Sequence, residues 1–66
     1  MKAAELRNLT TEELLNLLEE KKRTLMNLRF QKALGQLTDY SQLSKTKKDI
    51  ARIKTLLRER ELGVRR

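Results

Sequence analysis

The chain has 66 residues, enough for one domain, and carries 16 Lys and Arg against 9 Asp and Glu, a formal charge of +7 with a pI near 10.3. With no Cys and no His, disulfides, thiolate nucleophiles, the usual zinc ligands and the commonest general base are excluded. No apolar run approaches the ~20 residues that span a bilayer, and the start Lys2-Ala3-Ala4-Glu5 is too polar for a signal peptide.

These bounds predict a cytoplasmic protein with a polyanionic partner. A core of this size supplies roughly 3–5 kcal/mol of net stability, so the fold has reason to lean on that partner. The high charge content, the absence of Pro and the two Gly fit long helices.

Residues 1–8 hold Leu6 at helical distance from Lys2 and Ala3, room for one or two turns that would fray alone. Thr10 and Glu13 then form a Thr-x-x-Glu capping box, with Leu9 and Leu14 placed as a hydrophobic staple. A first long helix is expected over 10–34. Its seam runs through Thr11, Leu14, Leu18, Lys21, Leu25, Leu28 and Lys32, alternating steps of three and four. The two lysines can lay their stems along apolar surface while their ammonium groups reach water. Leu15 and Leu17 widen the apolar face near the start, where Leu6 and Leu9 would meet them.

Gly35 supplies the left-handed residue that ends such a helix. Thr38 and Asp39 offer capping oxygens for the next one, with Gln42 at the third position of an Asp-x-x-Gln box. A turn over 35–39 forces the second helix, expected over 40–62, to fold back antiparallel. Its seam reads Leu43, Thr46, Ile50, Ile53, Leu57 and Arg60, with Gly63 as the stop and Val64 continuing the seam beyond it. A turn centred near Leu37 pairs Leu28 with Thr46, Leu25 with Ile50, Lys21 with Ile53 and Leu18 with Leu57, to within one turn. The expected fold is all-α: one domain over residues 1–66, a long antiparallel two-helix hairpin with a short N-terminal helical segment.

Opposite its seam, at about 100° per residue, the first helix carries Arg23, Asn27, Phe30, Gln31 and Leu34. The one Phe of the chain among amides and an Arg is unlike a solvated face. Either Phe30 and Leu34 curl over the tip onto Leu37 and Tyr40, or they form a contact surface for a base or a protein pocket. The second helix carries Lys45, Lys48, Arg52, Thr55 and Glu59 outside, flanked by Lys47 and Arg58, a stripe that a phosphate backbone can follow. The carboxylates do not converge. Glu19 with Arg23 and Asp49 with Arg52 read as surface helix pairs. No catalytic residue, metal site, cofactor or small-molecule substrate is therefore expected.

Two stretches carry a more specific pattern. Leu28-Arg29-Phe30-Gln31-Lys32-Ala33-Leu34-Gly35-Gln36-Leu37 precedes the turn, and Lys48-Asp49-Ile50-Ala51-Arg52-Ile53-Lys54-Thr55 follows it. With the Leu6 to Leu14 opening, they resemble the bacterial large-subunit ribosomal protein family twenty-nine over nearly the whole chain. The resemblance implies a helical hairpin on large-subunit ribosomal RNA, near the exit of the nascent-peptide tunnel and beside large-subunit ribosomal protein twenty-three. On that view Arg29, Phe30, Gln31, Gln36 and Arg52 match motif positions that meet RNA or the neighbouring protein.

Lys32 joins them from the same stretch. Arg23, Asn27, Lys45, Lys48 and Thr55 join from the two outer faces. The chain departs from the family where Gln42, Ser44, Lys47 and Lys48 replace common arginines, where Thr46 replaces an aliphatic residue, and in a turn without proline. Lys offers a point charge and not a planar fork, so bidentate contacts do not carry over to Lys47 and Lys48. The competing reading is a coiled-coil hairpin adaptor or co-chaperone that does not bind RNA and uses its apolar seam to dimerise. The RNA-binding reading makes the free chain a monomer.

Overall fold

The computed structural model describes residues 2–63, and Val64 lies outside them. The described residues form three helices and no strand: α1 Ala3–Arg7, α2 Thr11–Ala33 and α3 Ser41–Glu61. α2 and α3 pack against each other as the two arms of the hairpin, and α1 packs on α3. The result is a rod of 43 × 17 × 16 Å.

α2 begins where Thr10 and Glu13 satisfy each other's backbone. The Glu13 amide donates to Thr10 Oγ1 at 3.1 Å, and the Thr10 amide donates to Glu13 Oε1 at 3.0 Å. The hydrogen bonds from the Thr10 backbone and side chain hold the Glu13 carboxyl below its usual range. α2 ends in a Schellman motif. Gly35 adopts φ +73°, its amide donates to the Lys32 carbonyl at 3.0 Å, and the Gln36 amide donates to the Gln31 carbonyl at 2.8 Å.

The start of α3 differs from the expected Asp-x-x-Gln box. Asp39 Oδ1 instead accepts from both the hydroxyl and the amide of Ser41, two residues on, the local bond that an aspartate makes most readily at a turn. The Ser41 hydroxyl and then its amide hold the Asp39 carboxyl below its usual range. Beyond Glu61, Gly63 takes φ +77° and its amide closes on the Arg60 carbonyl at 3.2 Å, so Gly63 stops α3 as expected.

The core lies towards the open end of the hairpin. Leu6, Leu14 and Ile53 are fully buried, joined by Leu18, Ile50 and Leu56, with Leu9, Leu17, Leu25 and Leu57 packed around them. Two positions depart from the period-based seam. Leu56 is buried while its neighbour Leu57 is only partly so, because α1 packs on α3 and Leu6 joins the cluster that holds Leu56. Leu15 is half exposed, so of the two leucines expected to widen the apolar face only Leu17 joins the core. Towards the tip, burial thins to Leu28 and Thr46, and the Thr46 hydroxyl is satisfied by the Gln42 carbonyl at 2.8 Å.

Two polar links fix the register. Lys21 stays partly exposed, and its ammonium also meets Asp49 across the hairpin at 3.3 Å, one turn before its expected neighbour Ile53. Burial pushes the Asp49 carboxyl up, but hydrogen bonds and charges that include Lys21 outweigh it and leave it low. On the surface, Glu19 pairs with Lys22 at 3.9 Å, where Arg23 had been expected. At the open end the Arg60 guanidinium donates to the carbonyls of Arg7 and Leu9, at 3.2 and 2.6 Å, and to Thr11 Oγ1 at 3.3 Å.

Arg60 therefore ties α1, its exit and the start of α2 to α3, and supplies donors to carbonyls at a helix end. Replacing Arg60 by Met keeps most of the stem and removes the fork. The expected cost is about 1–2 kcal/mol, since these are charge-assisted bonds in a partly solvated setting. It should appear as roughly tenfold faster hydrogen exchange at the Leu6 and Leu9 amides, and unchanged exchange there would show that the clasp contributes nothing.

Candidate nucleic-acid interface

The turn brings the outer faces of α2 and α3 to the same end of the rod. On α2, Phe30 is 65% exposed, and beyond it Leu34, at the end of α2, and Tyr40, at the start of α3, are more than half exposed. Phe30 therefore points outward, and the tip-packing reading is set aside. Met26, 69% exposed, was missed by the sequence reading. It precedes Phe30 by four residues as Phe30 precedes Leu34, so the three form an apolar ridge opposite the seam. The i, i+4, i+8 spacing was the available signal.

Arg23, Asn27, Arg29 and Gln31 are also exposed, and the first two share the ridge's side of the helix. The Schellman bond between Gln36 and Gln31 draws together two of the family-motif positions. Lys32, at the end of the seam, is exposed, and its ammonium sits 5.8 Å from the centre of the Tyr40 ring, a weak cation–π contact across the turn.

α3 contributes Lys45, Lys48, Arg52 and Thr55, all exposed. The helix as a whole carries seven Lys or Arg and three Asp or Glu, whereas α2 carries five and four, so the positive potential belongs mainly to α3. Two details modify the expected stripe. The Thr55 hydroxyl donates to the Ala51 carbonyl at 2.8 Å, which leaves no proton there for a phosphate. The stripe also does not run over open surface along its length: α1 borders its C-terminal half, and Arg52, Thr55 and Glu59 line a crevice with Ala3 and Arg7. Arg7 was not among the expected contacts, because a five-residue helix gives no signal of where it docks.

Among the described residues, no three His, Cys, Asp or Glu side chains gather as a metal would require. No helix among them is long and apolar enough to cross a membrane. Fold and surface together define a class: a small, cation-rich helical hairpin that consumes its apolar seam internally and leaves its outer faces for a partner.

The family model described as Ribosomal L29 protein matches residues 4–60, and the chain belongs to that family. Similar curated proteins carry the name large ribosomal subunit protein uL29. That of Thermosipho africanus is 89% identical over all 66 residues of both chains, and that of Fervidobacterium nodosum is 74% identical over the same full length. That of Streptomyces griseus is 62% identical over 63 residues, 96% of this chain and 85% of its own. The family is one of ribosomal structural proteins and is not an enzyme family.

Proposed function

We propose that this constituent of the large subunit binds large-subunit ribosomal RNA through the cationic side of α3 and the tip of α2, without catalysing a reaction. It works in the bacterial cytoplasm as part of the ribosome. The observation that carries the reading is the exposed, cation-rich side of α3, a helix with seven Lys or Arg against three Asp or Glu. Cations from Lys45 to Arg52 meet phosphates, and Phe30, with the amides of Asn27, Gln31 and Gln36, fixes position on bases or on protein. Its place near the peptide exit tunnel, beside ribosomal protein twenty-three, rests on the resemblance of the paired motifs.

The adaptor reading needs the apolar seam for a second copy. Leu14, Leu18, Ile50 and Ile53 are buried within the chain, so the seam is already occupied, which favours a monomeric free protein. Filter binding tests the RNA contact, using large-subunit RNA transcribed from the Thermosipho africanus sequence. Replacing Lys45 and Lys48 together by Gln should weaken binding about tenfold, with the melting curve unchanged, because each exposed cation contributes mainly through phosphate neutralisation. Equal affinity of the double variant would remove α3 from the interface.

A further inference from the structure

α1 has no role in the RNA contact described so far, yet its docking builds one wall of a crevice on the side of α3. This is an open crevice of about 380 Å³ lined by Ala3 and Arg7 of α1 and by Ala51, Arg52, Thr55, Leu56 and Glu59 of α3. The fold thus brings two guanidinium groups, distant in sequence, to the walls of one concavity. We infer that Arg7 and Arg52 together grip a single backbone phosphate of the RNA in this crevice, with α1 acting as a clamp that the hairpin alone would lack.

The chemistry of the lining selects the ligand. The lining holds two Arg and one Glu, a net positive charge that favours an anion. Ala3 and Ala51 present no more than methyl groups, so the floor stays open to a group the size of a phosphate. The Thr55 hydroxyl proton is committed to the Ala51 carbonyl, so the guanidinium forks are the donors of the site. Arg52 has a partner within the chain, and a guanidinium, with five N–H donors in a planar fork, can serve more than one acceptor. Planar forks suit a phosphate better than ammonium groups do. Arg60 bonds the Arg7 carbonyl, which anchors the backbone of the clamp and leaves the Arg7 side chain for the crevice.

This inference rests on the RNA-binding reading, and the test separates the two. Binding of the same Thermosipho africanus transcript is measured at one fixed salt concentration for the unaltered chain, Arg7→Gln, Arg52→Gln, the double variant and Arg7→Lys. Circular dichroism melts check folding, and the Arg7 carbonyl that anchors α1 is retained in every variant. Each single Gln variant should bind about tenfold more weakly. The double variant should fall well short of a hundredfold loss, because one phosphate contact is lost only once. Arg7→Lys, with the charge and without the fork, should recover only part of the loss, and it decides the matter if Arg7→Gln melts early.

Unaltered affinity of Arg7→Gln, or a double variant equal to the product of the singles, would overturn the shared phosphate while leaving RNA binding in place. Failure of the unaltered chain to bind the transcript would remove the RNA reading itself and this inference with it.

Discussion

Ile53→Ala should abolish the cooperative thermal transition of the isolated chain. Ile53 is fully buried, among Leu6, Leu14, Leu18, Ile50 and Leu56, so truncation removes three carbons from the middle of the cluster where all three helices meet. Such truncations cost about 2–5 kcal/mol, from lost transfer energy and from the cavity left behind. A chain of this length has roughly 3–5 kcal/mol to lose. The tip cannot compensate, since its buried contacts reduce to Leu28 and Thr46. Far-ultraviolet circular dichroism on heating reads the result, with Leu62→Ala as the control: Leu62 is 71% exposed, and truncation there should change stability by less than about 0.5 kcal/mol. A cooperative Ile53→Ala transition at the unaltered midpoint would mean that the core lies elsewhere.

The second large effect is on affinity. Binding to large-subunit RNA should fall about 10³-fold between roughly 50 and 200 mM salt. That figure follows if about six cations each displace condensed counterions from phosphates, with the duplex rule as guide. The α3 cations other than Arg60, together with Arg29 and Lys32 beside the turn, are enough to supply six, and they are exposed, so salt screens them strongly. Apolar docking through the Met26, Phe30 and Leu34 ridge would respond weakly to salt. A flat salt dependence would therefore transfer the interface from the α3 cations to the α2 ridge, and with it the class of partner from RNA to protein.

The hairpin was legible because its signals are local. The Thr10 and Glu13 box and the left-handed Gly35 and Gly63 depend on residues within one turn of chain, and the structure shows all of them. Leu56 was not legible, since its burial depends on α1 docking at an angle that a two-helix seam does not encode. Asp39 chose Ser41 over Gln42 for the same kind of reason, a nearer partner winning over a patterned one. The outward turn of Phe30 is a tertiary outcome: nothing in its neighbours decides whether the tip folds back. Met26 was readable from spacing alone and was missed because attention fell on the polar residues around it. The place of Arg7 depends on how α1 docks on α3, which no local signal encodes. For the candidate interface, charge and helical period gave the stripe on α3, but ribosomal RNA as the polyanion came from the paired motifs and not from physics.

The buried core lies towards the open end of the rod, and the proposed function puts its main RNA contacts nearer the turn, with the α1 crevice as one further contact. Protein–RNA crosslinking in cell lysate, read at residue level, tests that placement directly. Crosslinks to ribosomal RNA are expected within residues 29–36 and 45–52. Their absence from both stretches, in lysate where the chain is assembled into large subunits, would contradict it.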